Sequence, residues 1–546
     1  MTSHTLATLE ANAEREAVPQ APLPLDTATQ KSRAEVSTSL TSIGELRKLA
    51  RHSSHYLVSL VVSLAVGFIS FPIFTRVFSV ADYGLIDFAS KILLLGTAAS
   101  KMGLQNAALR FYDHKEFQSR QDERQRYYAT MFFGTLLSAG VVTLLFAGGI
   151  RFAPAKLIDT PLATILLIGS SLILLRSMES VLLAFLRIEE RTKTYAIVTV
   201  AMRAGTVAAV CLMMSVIGRS ARTYFLGAIA VELVAVLVMS FMLAGRRLLN
   251  LSQFNLNFFR VTLVFGLPLI INEIAFIVLD AGDRVLVRHY LGAVALGHYS
   301  VAYGLSHYVN ELLIMPLNLA MVPIYMRLWT SQGKESTTRF LTVSLDLFLL
   351  AATGLFAVTL VASRDALVLL ASAKYQSAAY LIPILVAGFL IYTTQVFLSA
   401  GLMIHKKTKT MAALMIWSAA VNLILNWFLL PRLGLVAAAL ATVLSFALCV
   451  FLLWRATAPL LPLKIDLVAV LKYLAAATIA CAGTYWLDSG IPFLNALIKA
   501  VAAVTLYGLM LYLLDARVRR QAANSVRWLR GRLNHPVPAE VSIAGD

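Results

Sequence analysis

Two lysines, Lys91 and Lys101, stand ten residues apart in the apolar stretch 84–108. On a helix that separation is about 15 Å along the axis and about 80° around it, so both can line one wall at two depths. Arg176 and Arg203 lie inside later apolar stretches, while Arg76 and Arg110 close the first and second, and Arg284 follows the seventh. Ammonium and guanidinium groups in such a ladder suit a multiply charged oxyanion such as phosphate or pyrophosphate. Arg76 and Arg284 would serve near one mouth of a passage and Arg110 near the other. Four carboxylates, Glu273, Asp280, Glu311 and Asp346, fall inside apolar stretches further along. They suit coupling to a proton or sodium gradient, or ion pairs with the cations of the first half. Local pairing is the plainer alternative: Asp87 with Lys91 at i, i+4, and Arg176 with Glu179 at i, i+3. Glu232 could pair with Arg203 across helices. Lys101 has no acidic neighbour at helical spacing, which makes it the foremost single candidate.

The elements that must carry these groups follow from composition. The chain of 546 residues is 59% hydrophobic and 14% charged, with a mean hydropathy of +0.75. Soluble domains run at about 45–50% apolar and about 25% charged, and about 20 apolar residues cross a bilayer as a helix. Runs of that kind lie at about 56–76, 84–108, 129–150, 161–186, 194–217, 223–244 and 260–281. Others lie at about 293–326, 340–361, 378–403, 411–430, 434–455, 466–487 and 491–514. The pattern predicts an all-α integral membrane protein with fourteen spans. Backbone facing lipid must satisfy its own hydrogen bonds, and no ten-residue alternation marks a strand barrel. A charge at mid-bilayer costs about 2.5–3.5 kcal/mol, so each cation above must face protein or water.

Lys and Arg favour one set of alternate loops by roughly three to one, which places both termini in the cytoplasm. This bias accounts for the net charge of +18 and removes the need for a nucleic-acid partner. The reading divides the chain into a polar, mostly disordered tail (1–54), a first six-helix block (55–250) and a second (251–456). Two additional helices (457–515) and a basic tail (516–546) follow. Ser42 to Glu45 fits a helix capping box. In the last tail Val518, Ala522, Val526, Leu529 and Leu533 share a helical face, with Arg519, Arg520, Arg527, Arg530 and Arg532 around it. That composition predicts a helix lying on anionic lipid, a solvated tail being the alternative.

Catalytic signatures are absent. The fragment QGKES lacks the glycine that would shape a phosphate loop, and no H-E-x-x-H, G-x-S-x-G or Cys-x-x-Cys occurs. Cys211, Cys449 and Cys481 are far apart inside apolar runs, so neither a disulfide framework nor a metal site is expected. The loops leave no room for a folded catalytic domain, and neither an enzyme nor a cofactor is expected.

An internal echo links the halves. FTRVFSVADYG at 74–84 parallels VRHYLGAVALGHY at 287–299, aligning Arg76 with Arg288 and Gly84 with Gly297 after one inserted residue. Repeated membrane lobes usually hold a binding site between them. FPIFTRVFSVADYG, DRVLVRHYLGAVALGHYSVAYGL and NLILNWFLLPRLGLVAAALATVLS together resemble Wzx-type polysaccharide flippases. These belong to the multidrug/oligosaccharidyl-lipid/polysaccharide exporter superfamily, and the likeness runs from about Tyr56 to Asp515. Arg76, Asp82, Tyr83 and Gly84 match the family's first-span pattern; Asp283, Arg284, Gly292, Gly297 and Tyr299 match its seventh. The glycines are expected to serve turns and Tyr299 to anchor at the membrane interface. The resemblance implies two six-helix lobes around a central cavity plus two helices. It also implies an inner-membrane location, a substrate of undecaprenyl-pyrophosphate-linked oligosaccharide, and polymerase and glycosyltransferase partners. A cation-coupled drug exporter of the same superfamily is the first alternative. An integral-membrane polymerase or acyltransferase is the second.

Overall fold

The computed structural model describes residues 61–112, 120–154 and 158–520. The capping box at Ser42, the N-terminal tail and the basic face from Ala522 onward lie outside them. Every regular element among the described residues is helical. The first half comprises α1 (Val61–Val77), α2 (Val80–Lys101), α3 (Leu104–Arg110), α4 (Gln121–Phe152), α5 (Thr160–Gly169), α6 (Ser171–Ile188), α7 (Thr192–Val216) and α8 (Ala221–Ala244). The second half begins with α9 (Leu256–Ala281) and α10 (Asp283–Leu370). It continues with α11 (Leu381–Thr393), two short pieces α12 (Gln395–Leu398) and α13 (Ala400–Ile404), then α14 (Thr408–Leu433) and α15 (Leu435–Thr457). Finally α16 (Leu467–Thr484) and α17 (Pro492–Leu514) pack on one another and on α10. Among the described residues, ten helical runs are long and apolar enough to cross a membrane, counting Leu256–Leu370 as a single run of 115 residues. This is a multi-pass membrane protein.

That long run turns where glycine lets it. Gly292 (φ 83°) and Gly333 (φ 76°) leave helical geometry and divide α10 into arms 283–291, 293–332 and 334–370. α9 ends at Ala281, where the seventh span was expected to end, but helix resumes at Asp283 and runs to residue 291. The charges at 280, 283 and 284 are satisfied by ion pairs within the bundle. The expected second span is also broken. Met102 (φ 45°) and Gly103 (φ 69°) separate α2 from α3.

The echoed motifs meet in space. Ser79 N-caps α2 by accepting from Asp82 N at 3.0 Å. One turn later Gly84 lies backbone to backbone against Gly297 in the second arm-bearing half, and a Cβ on Gly84 would fall 2.6 Å from Gly297 N. At the other end of α2, a Cβ on Gly103 would lie 2.5 Å from Gly266 O in α9. Small residues at both points let the two halves approach to backbone distance. Pro268 stands two residues beyond Gly266 inside α9 and removes a helical hydrogen bond there.

Candidate functional site

Within the first half, α1, α2, α6, α7 and α8 surround a polar cavity of about 470 Å³. Lys101, Arg176 and Arg203 line it together with the carboxylates Glu179 and Glu232 and the hydroxyls of Ser70, Thr97, Ser180, Thr199, Thr206 and Tyr224. Three of the expected anion ligands are thus brought to one chamber. Arg176 Nε donates to Glu232 Oε1 at 3.0 Å. Glu232 therefore pairs with Arg176 and not with Arg203, and the local Arg176–Glu179 pair is not formed. Arg203 is exposed to this space and has no hydrogen bond or ion pair to any described residue. It is the open cation of the chamber, a rank the sequence had given to Lys101.

Lys101 instead reaches across to the second half, where its Nζ donates to Glu273 Oε1 in α9 at 2.5 Å. Lys91 does the same with Asp280 Oδ2 at 2.9 Å. Its i, i+4 neighbour Asp87 is taken by Arg284, whose Nε donates to Asp87 Oδ2 at 2.6 Å. The expectation that Asp87 and Lys91 neutralise each other is corrected by this exchange: each finds its partner on the facing helix. Three inter-half ion pairs therefore run down α2, facing α9 and the first arm of α10.

Arg284 does not act as an open ligand at a mouth. Its side chain is 2% exposed and held by Asp87, by the Asp280 carbonyl at 2.8 Å and by Asp283 at 3.5 Å. A guanidinium closed in this way binds the halves together and offers nothing to a solute. Tyr299 is likewise buried inside the second half, donating to Asp283, and is no interfacial anchor. At the Arg76 end of α1, the Arg76 guanidinium donates to Leu369 O at 2.5 Å and stays exposed. At the far end of α3, Arg110 sits 4.7 Å from the Phe265 ring centroid, a cation–π contact with α9.

The four carboxylates do not form one site. Asp280 is the best furnished: Tyr303 Oη donates to it at 2.8 Å, and His307 Nε2 lies 3.8 Å away. Glu311 is 3.7 Å from His307 Nδ1. Glu273 holds Lys101. Asp346 lies apart, accepting from Tyr473 Oη of α16 at 3.2 Å beside Lys464 and Arg517. It belongs with the additional helices, which corrects its grouping with the other three. Tyr303 and His307 escaped the sequence reading. Their spacing with Glu311, four and four, marks one stripe of a helix and was the signal that could have found them.

A second cavity of about 410 Å³ opens between the halves, lined by Phe88, Ile92 and Leu95 of α2, Val278 of α9, Val285 of α10 and Trp427 of α14. Lys91 is its charged member. The slot is otherwise apolar and reaches the charged seam from the side.

Stacked charged groups inside a helical bundle, with a side slot between two halves, describe a membrane transporter fold. The solved structures agree: the lipid II flippase MurJ in an inward closed conformation superposes with a TM-score of 0.65 at 13% identity, over 84% of this chain and 98% of that one. An inward-facing multidrug resistance MATE family transporter of the MOP superfamily gives a TM-score of 0.53 at 11% identity, over 72% and 97%. No curated protein matches the sequence significantly. A profile of the polysaccharide biosynthesis protein family matches residues 49–329, and the chain belongs to that family.

Proposed function

We propose that this protein flips undecaprenyl-pyrophosphate-linked oligosaccharide repeat units from the cytoplasmic to the outer leaflet of a bacterial inner membrane, in polysaccharide synthesis. The observation that carries the reading is the chamber where Lys101, Arg176 and Arg203 converge. A diphosphate entering it meets Arg203 unpartnered and competes with Glu273 for Lys101. Guanidinium and ammonium donors bind such an anion better than the single carboxylates they hold without it, because each phosphate offers several charged acceptors. Taking Lys101 from Glu273, and then Lys91 from Asp280 as the head group moves along α2, removes in turn two of the pairs that tie the halves. Substrate binding and the rocking of one half against the other are then the same event. The apolar slot at Phe88 and Trp427 lets the polyprenyl chain stay in lipid while the head group moves. In this reading the halves are two six-helix lobes, followed by two additional helices to make fourteen spans, with both termini cytoplasmic. Glycosyltransferases and a polymerase stand upstream and downstream.

The carboxylates carry a coupling role in the same scheme: once released from lysine, Glu273 and Asp280 can take a proton or sodium ion. The drug-exporter alternative draws on one feature, the acidic and aromatic cluster of Asp280, Tyr303, His307 and Glu311. Reconstitution in vesicles separates the two. Fluorescent polyprenyl-diphospho-oligosaccharide placed in one leaflet is followed by a membrane-impermeant quencher, with and without an organic-cation drug gradient. Acceleration of lipid translocation by the protein, lost in Lys101→Gln and Arg203→Gln, is expected. Drug efflux with no acceleration of the lipid would overturn the proposal.

A further inference from the structure

The structure assigns a second lipid site, separate from the charged chamber and independent of the flippase reading: a groove that takes one anionic glycerophospholipid. α6, α7 and α8 leave between them an apolar cavity of about 440 Å³, lined by Leu182, Val198, Met202, Val231, Val234 and Val238. Val234 and Val238 are 60% and 54% exposed, so the groove is open along its side. It runs from Met202, which it shares with the polar chamber, to the ends of the three helices. Along α7 the distance from Arg191 to Met202 is eleven residues, about 16 Å. That is half the thickness of a hydrocarbon core of about 30 Å, the depth of one leaflet.

The open end is built for a phosphate. Glu189 receives three guanidiniums: Arg246 at 2.7 Å, Arg191 at 3.3 Å and Arg124 of α4 at 3.4 Å, with the Tyr128 hydroxyl at 2.9 Å. Three guanidiniums thus converge on the one Glu189 carboxylate, which concentrates arginine at that end. Arg191, Arg246 and Glu189 also line the groove's end, so these charges sit where a head group would lie while its chain follows the apolar wall. Basic pockets between membrane helices at this level favour anionic head groups. A peptide occupant is disfavoured, because its backbone would lie unsatisfied against valine and leucine. The lipid-linked substrate is disfavoured by depth: the charged end is at the helix termini, not at mid-bundle.

Such a lipid would brace α7, which packs chiefly on α8 and α6 and is otherwise the least enclosed wall of the chamber. The test titrates the delipidated full chain with dioleoylphosphatidylglycerol or dioleoylphosphatidylcholine and counts bound lipid by native mass spectrometry. One phosphatidylglycerol is expected to bind about tenfold more tightly than phosphatidylcholine. Arg191→Gln with Arg246→Gln should abolish that preference, Arg191→Lys with Arg246→Lys should keep it, and Val234→Trp should weaken both lipids. The lysine pair and Val234→Trp decide the matter should the glutamine pair fail to fold. Equal binding of the two lipids would overturn the site. So would retention of the preference in the glutamine pair, wild-type binding by Val234→Trp, loss of the preference in the lysine pair, or displacement of phosphatidylglycerol by equimolar undecaprenyl phosphate.

Discussion

The two halves of this protein are built from related beginnings and filled in opposite ways. In the first half, only 6% of the most apolar stretch of α7 is buried, and the space beside it holds lysine, arginine and glutamate. In the second, the most apolar part of Leu381–Ile404 is 78% buried, and the polar groups packed between α14 and α15 are small and neutral. Asn422 Nδ2 donates to Ser445 Oγ at 3.0 Å, and Asn426 Nδ2 donates to the Asn422 carbonyl at 2.9 Å. Amides and hydroxyls at helix crossings act as glue, whereas full charges are kept only where water or a counter-charge can reach them. The difference teaches a division of labour: one half is hollow, with charges around an open chamber, and the other is a packed body whose buried charges, Asp283 and Arg284, are paired with each other and with Asp87 across the seam.

The strongest way to break this comparison is to remove charge from the hollow half. Arg203→Gln deletes a cation with no described partner, so folding should hardly change, while lipid translocation in vesicles should fall by about 10- to 100-fold. Lys101→Gln should fall as far, with some loss of stability because Glu273 loses its donor. In the packed half, Asn422→Ala should do the reverse. It should cost about 1–3 kcal/mol in thermal unfolding, by taking away the donor to Ser445 Oγ and an acceptor of Asn426 and opening a small void. Translocation per folded molecule should stay near normal. Equal transport defects at Arg203 and Asn422 would dissolve the distinction.

Next in size are the glycines where the halves touch. Gly84→Val places a branched side chain against the Gly297 backbone, where a Cβ alone is too close. Overpacking of this kind typically costs about 1–3 kcal/mol, and here it weighs only on the state in which that end is shut. Single-cysteine labelling near Arg76 should therefore become faster, while labelling near Arg110 should slow. Gly103→Val, against Gly266, should produce the opposite pattern, compounded by its positive φ. Identical labelling changes in both variants would mean that the two contacts are not opposed closures.

Much of this was legible in the residues. Composition fixed helices, and the echo of 74–84 in 287–299 anticipated that Gly84 and Gly297 occupy related places, now seen in mutual contact. Cation positions along α2 followed from helical spacing. Partners did not. A one-dimensional reading offers Asp87 to Lys91 because they are four apart, yet a tertiary partner at 2.9 Å outcompetes the local one. Arg284, expected near a mouth of the passage, was misplaced for the same reason: its position in the sequence does not reveal that the facing helix supplies Asp87. Asp346 was grouped by hydropathy with residues it never approaches, since its neighbour Tyr473 lies 127 positions along the chain.

Pair exchange sharpens the seam itself. Lys91→Asp or Asp280→Lys alone leaves two like charges facing across the halves, each part-buried, and should destabilise by about 1–3 kcal/mol. Combining them restores opposite charge in reversed order. A double-mutant cycle in thermal unfolding should therefore recover about 1 kcal/mol or more of coupling. Translocation should recover less, because the slot at Phe88 would then be lined by aspartate where the proposal needs a cation. Full recovery of both would make the seam a fastening only. No coupling at all would mean that the pair is not formed in the membrane.

The smallest expected effect concerns Arg110, whose sequence position made it a ligand near one mouth. Its contact is with the face of Phe265, beside the Gly103–Gly266 approach, so it braces the closed end of the hollow half against α9. An exposed cation–π contact contributes about 0.5–1 kcal/mol. Phe265→Leu keeps the arginine and removes the ring, and Arg110→Gln keeps the ring and removes the charge. A brace predicts that both variants loosen this end alike, seen as modestly faster labelling of a cysteine near Arg110. A ligand predicts that only Arg110→Gln raises the concentration of lipid-linked oligosaccharide needed for half-maximal flux. The two outcomes diverge on Phe265→Leu, which changes no charge, and that variant decides whether the closed end of the hollow half is a surface for substrate or a latch.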